Sequence, residues 1–138
     1  MRFDLKVQHA MSRSFLSLSP DLELTAAIAL LKKHQVIGAP VVDEQQQLVG
    51  YLSEQDCLAP LTINSYFCDG RITVADLMHQ GVLTTSTQTP LLEVALKMQQ
   101  PHKPKQYPVV EQNKVIGIIS RTQVLHALSR SYQSCNAA

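Results

Sequence analysis

Apolar positions in this chain repeat in two ways, and the two ways alternate. Leu24, Ala27, Ile28 and Leu31 fall at the spacing of one buried helical face, and Leu91, Val94, Ala95 and Met98 do the same further on. Behind each helix comes a short apolar run, "APVV" at 39–42 and "YPVV" at 107–110, whose single proline stands at the strand start, where a missing amide is tolerated. A polar turn follows, "DEQQQ" or "EQN", then a second strand, "LVGYL" or "VIGII", and a helix opening at Ser53 or Ser120. Pro20 and Pro90 stand at or near the starts of the first helices. With a short lead-in strand before each helix, around Leu16 and Leu83, the predicted order is strand, helix, strand, strand, helix, written twice.

The duplication is legible residue by residue. "GYLSEQD" at 50–56 returns as "GIISRTQ" at 117–123, and "KVQHAM" at 6–11 returns as "TVADLM" at 73–78, both after sixty-seven positions. The first repeat is expected over 5–60 and the second over 73–130, with a connector at 61–72 and a tail at 131–138. Thr73 and Asp76 read as the cap that opens the second copy. A unit of this size does not bury both faces of a three-stranded sheet alone, so the copies are expected to pack sheet against sheet about a pseudo-twofold axis, an α/β (α+β) fold.

Composition narrows the function. Of the 138 residues 45% are apolar and 17% charged, which fits a packed globular chain. Twelve Lys and Arg against eleven Asp and Glu leave no basic field for nucleic acid or anionic lipid, so any anion site is local. The apolar runs are too short to span a bilayer and "MRFDLK" is no signal peptide, which predicts a cytoplasmic protein with no membrane partner. Cys57, Cys68 and Cys135 form no CxxC pair, and the five histidines show no zinc spacing, so no metal is expected. Cys57 reads as a small core hydrophobe.

Two features of the repeated phrase need separate explanations. Ser53-x-x-Asp56 and Ser120-x-x-Gln123 both fit a helix capping box, which accounts for the serines. Capping does not account for the change from aspartate to glutamine. A carboxylate accepts hydrogen bonds at both oxygens and carries charge; an amide offers one oxygen and none. Asp56 with Ser53 has no histidine or lysine partner identifiable in the sequence, so no catalytic residues are assigned and the chain is not expected to be an enzyme.

The two methionines ahead of the lead-ins, the two "PVV" runs and the two Gly-apolar-apolar-Ser phrases, in this order and at matched spacing, resemble the cystathionine beta-synthase (CBS) domain in its tandem arrangement, the Bateman module. The resemblance covers roughly residues 5 to 130. It implies a regulatory module that binds AMP, ADP, ATP or S-adenosylmethionine in clefts between the repeats, with no further cofactor. It also implies a homodimer and an effector protein in another chain. Carried over by position, the better-equipped cleft takes its ribose partner from Asp56 beside Ser53, backbone groups for adenine from Gly81 and Leu83, and phosphate partners from Lys103 and Lys105. The second cleft, lined by Ser14, Leu16, Ile37, Ser120 and Gln123, departs from the family pattern and lacks a cation apart from His34. Val124, Leu125 and Leu128 are the candidates for facing a partner chain or their own repeat. A structural or interaction module without a ligand is the competing reading, and a nucleotide-processing enzyme ranks below both.

Overall fold

The computed structural model describes residues 4–63 and 70–136. Cys68 and half of the expected connector, 64–69, lie outside the described residues, as do the last two residues of the expected tail. The chain forms two compact units, Leu16–Val82 on the one hand and Met1–Phe15 with Leu83–Ala138 on the other. These are not the sequence repeats, since each takes a lead-in from the other copy.

In the unit Leu16–Val82, helix α1 (Leu24–His34) is followed by strands β1 (Gly38–Val42) and β2 (Leu48–Ser53) and by helix α2 (Glu54–Leu61); a short helix α3 (Val74–Leu77) closes it. Strand β1 is buried throughout and pairs antiparallel with β2. The apolar spacing of α1 does what it predicts: Leu24, Ala27 and Leu31 face a core with Leu18, Ala39, Val41 and Leu52. Gln35 ends the helix in the left-handed region, at φ 56°.

The other unit has the same plan. Helix α4 (Leu91–Met98), capped at Pro90, precedes strands β3 (Gln106–Glu111) and β4 (Lys114–Ser120), and helix α5 (Arg121–Asn136) ends it. Leu91, Val94 and Ala95 pack with Tyr107, Val109, Ile119 and Val124. Both hairpins carry a register shift at the same place, between Val41 and Val42 and between Val109 and Val110, opposite the glycine of the repeated phrase. Helix α5 runs through residues 131–136, where the sequence reading places a tail, because no glycine or proline interrupts it.

The expected lead-in strands shrink to one bridged residue each. Leu18 pairs with Val41 and Thr85 with Val109, both parallel, so each sheet has two full strands and a single-residue third. Pro20 and the polar runs around these residues leave nothing to extend the ladder.

The lead-ins are exchanged. Val7, wholly buried, joins the core around Leu91, and its amide donates to the Thr89 carbonyl at 2.9 Å. Val74, equally buried, joins the core around Leu24, and its amide donates to the Leu22 carbonyl at 2.8 Å. Each such valine contributes about 2 kcal/mol by burial. The repeated glycines explain why the methionines repeat as well. A Cβ on Gly50 would stand 2.6 Å from Met78 Sδ and 2.9 Å from the His79 carbonyl oxygen, and a Cβ on Gly117 would run into Met11 and the Ser12 carbonyl. In each unit the methionine of one copy lies over the glycine of the other.

Candidate functional site

The end of β2 and the start of α2 form one construction. Ser53 is extended, at φ -112°, and serves as N-cap. The Asp56 amide donates to Ser53 Oγ at 3.3 Å, while the Ser53 amide and hydroxyl both donate to Asp56 Oδ2 at 2.9 Å. At the corresponding turn of the other unit the Ser120 amide donates to Gln123 Oε1 at 2.8 Å, and the Gln123 amide to Ser120 Oγ at 3.2 Å. Both serines therefore cap helices, and Asp56 and Gln123 each close the box. Thr73 with Asp76 makes a third, with the Thr73 amide donating to Asp76 Oδ2 at 2.9 Å.

Beyond the box the two turns differ. The second oxygen of Asp56, Oδ1, pairs with His79 Nε2 at 2.5 Å; the Asp56 side chain is 11% exposed and the imidazole 69%. The backbone of His79 is fixed, donating to the Tyr51 carbonyl at 2.9 Å and accepting from the Tyr51 amide at 3.0 Å. Burial, and then the nearby Asp56 carboxylate, push the Tyr51 phenol up to about 12. Burial first, then Asp56 and Glu54, raise the Cys57 thiol as well, which leaves this buried cysteine unreactive. In the other unit Ile118 stands for Tyr51, Gln123 for Asp56 and Ser12 for His79. Ser12 keeps the backbone pairing, to Ile118, but its hydroxyl donates to the Ser14 carbonyl at 2.7 Å and does not reach Gln123.

His79 is the partner of Asp56 that the sequence reading did not find. Its signal was available: it follows Met78 where the other copy has Ser12 after Met11. The order of groups is not that of a hydrolytic triad. There the imidazole lies between nucleophile and carboxylate, whereas here the carboxylate lies between Ser53 and His79 and the imidazole does not bond the serine.

The remaining residues named from sequence are distributed over both units. Ser53, Asp56, Gly81, Leu16 and Ile37 belong to Leu16–Val82; Leu83, Lys103, Lys105, Ser14, Ser120 and Gln123 belong to the other. Gly81 is exposed, with φ at 66°, a conformation that favours glycine. Leu83 and Lys103 come together with Thr84, Lys97, Gln100 and Tyr107 around a cavity of about 150 Å³. The Tyr107 hydroxyl is buried without a hydrogen-bond partner, and burial raises its phenol. Lys105 is exposed, and its carbonyl accepts from the Arg121 amide at 2.8 Å; Ile37 occupies the matching place, accepting from the Glu54 amide at 2.8 Å. Leu16 packs against its unit's core, and Ser14 is exposed.

Each unit also carries an apolar groove between its helices. The one between α1 and α2 encloses about 660 Å³ and is lined by Ile28, Leu31, Ile37, Leu58 and Leu61 among others. Its counterpart between α4 and α5 encloses about 430 Å³, with Met98, Leu125 and Leu128. Leu58 and Leu125 are 59% and 62% exposed, whereas Val124 belongs to its own core and Leu128 packs against it. Among the described residues there is no cluster of three or more metal-binding side chains, and no helix is long and apolar enough to cross a membrane.

The family model for the CBS domain matches residues 7–62 and 74–130. Inosine-5'-monophosphate dehydrogenase of Staphylococcus aureus strain Mu50 is 32% identical over 105 residues, which are 75% of this chain and 20% of the enzyme; the chain spans about a fifth of the curated relatives it matches. Among solved structures, CBSX2 in complex with AMP, the Arabidopsis thaliana CBS-pair protein, superposes with a TM-score of 0.80 at 29% identity, covering 92% of this chain and 98% of that one. The CBS domain pair of MJ0100, in complex with 5'-methylthioadenosine and S-adenosyl-L-methionine, superposes with a TM-score of 0.78 at 24% identity, covering 92% of this chain and 98% of that one.

Proposed function

The chain belongs to the CBS domain family, and we propose that it is a non-catalytic regulatory module that binds an adenosine-containing ligand: AMP, ADP, ATP or S-adenosylmethionine. The observation that carries this reading is Asp56: a carboxylate at a helix start, mostly buried, in one copy of a repeat whose other copy has an amide. Capping is served by either residue, so the charge is there for a second task, accepting hydrogen bonds from a ribose diol at the oxygen that now meets His79. The likeness to CBSX2, whose crystal structure holds AMP, supports the ligand class. Ser53 and Gly81, of the same unit, complete the proposed site. The turn around Gln123, with Ser14 and Ser120, binds a nucleotide weakly or not at all.

The test is thermal unfolding with each of the four ligands. At a hundredfold excess over Kd a bound ligand stabilises by about 2.7 kcal/mol, several degrees for a domain of this size. Asp56→Ala removes that shift. Unchanged melting of the natural protein with all four ligands overturns the reading.

A second copy of the chain is the proposed partner for the two apolar grooves, which leave Leu58 and Leu125 uncovered. Sedimentation at tens of micromolar decides it: a homodimer supports the proposal and a monomer overturns it. The effect on an effector protein would then pass through the dimer in the cytoplasm. Absence of a nucleotide response with the dimer intact favours the interaction module.

A further inference from the structure

We propose that His79 is a built-in competitor for the acceptor site of Asp56, so that a nucleotide binds only by displacing the imidazole. The inference rests on the nucleotide reading above and deepens it. An ionised carboxylate offers about four lone-pair positions. Three are taken: the Ser53 amide and hydroxyl both occupy Oδ2, and His79 Nε2 occupies Oδ1. A cis-diol donates two hydrogen bonds where one position is left.

One of the three donors must yield, and they are not equally held. The Ser53 amide is backbone, fixed by the end of β2 and the start of α2. The Ser53 hydroxyl is locked between the carboxylate it donates to and the Asp56 amide it accepts from. His79 is attached differently. Its backbone is pinned to Tyr51, while its imidazole is 69% exposed and loses only this bond by rotating about its side-chain torsions, with water to take its place. The released imidazole frees Oδ1, and the capping box that holds the carboxylate in position stays intact. The other unit has neither the carboxylate nor the competitor: Ser12 and Gln123 stand in the two places and do not meet.

The experiment is calorimetric titration of the full chain with AMP, comparing natural protein with His79→Ala. Removing a competing hydrogen bond tightens AMP binding roughly three- to tenfold. Side-chain nitrogen NMR provides a second reading, since saturation with AMP shifts the His79 Nε2 resonance toward that of an imidazole in water. Equal or weaker binding by His79→Ala, with the natural protein binding AMP, overturns the competitor and leaves the nucleotide reading standing; so does an unmoved His79 resonance at saturation. If neither folded protein binds AMP, the competitor falls along with AMP as the ligand.

Discussion

The turn at Ser53 and the turn at Ser120 are built alike and equipped differently. Both follow a hairpin with the same register shift, both receive a methionine over a glycine, and both close a capping box. Around the first lie Tyr51, Asp56 and His79; around the second lie Ile118, Gln123 and Ser12. The same divide extends to the neighbouring bond, Glu54 amide to Ile37 carbonyl in one unit and Arg121 amide to Lys105 carbonyl in the other. What the two copies share holds the backbone; what they do not share projects from it. Close contacts leave no room for a side chain at Gly50 and Gly117, and capping asks for an acceptor at Ser53 and Ser120, whereas the positions between them accept several chemistries once the turn is formed.

The largest effect is expected where the copies agree. Gly50→Ala and Gly117→Ala each place a methyl against a methionine and a backbone carbonyl, and each destabilises by about 3 kcal/mol, measured by urea unfolding. A cost in one unit only would break the equivalence. Ser53→Ala and Ser120→Ala come next, each costing about 1 kcal/mol through the lost cap; equal losses would mean that the charge on Asp56 adds little to capping.

Alkaline titration reads a buried phenol in each unit, since burial raises both Tyr51 and Tyr107. The unfolded Tyr51 ionises near pH 10 and the folded one near 12, so its contribution is complete below pH 10 and is lost as pH rises through 12. Tyr51→Phe reduces that alkaline loss and leaves the part due to Tyr107, whereas Ile118→Phe leaves the profile unchanged. The smallest effect belongs to the exposed imidazole: His79→Ser, which copies Ser12, costs under about 1 kcal/mol. A larger cost would make His79 a structural post and count against its easy displacement.

Most of the fold was legible because duplication offers every element twice. The helical faces at Leu24–Leu31 and Leu91–Met98, the "PVV" strands and the three caps follow from local spacing and local hydrogen bonding. Lead-in pairing was not legible, since nothing in "KVQHAM" says which hairpin it will meet; that depends on a methionine fitting over a glycine far along the chain. The lead-in strands were overdrawn for the opposite reason: Leu16 and Leu83 suggest apolar strands, but the flanking prolines and hydroxyl residues stop the ladder at one bridged residue, Leu18 and Thr85. Asp56 was found by comparing the copies. The same comparison applied one residue past Met78 would have found His79.

The crossed placement of the lead-ins bears on how the chain is made. Lys6 bonds to Gln88 across 82 positions, and Ser12 is bridged to Ile118. As the polypeptide leaves the ribosome, the segment around Val7 has no partner until the second hairpin has been synthesised, while the first hairpin waits for Met78 to cover Gly50. Neither unit can be finished early, so the apolar segment around Val7 stays unprotected until the second hairpin has been made, and the closing steps are long-range and slow compared with helix formation.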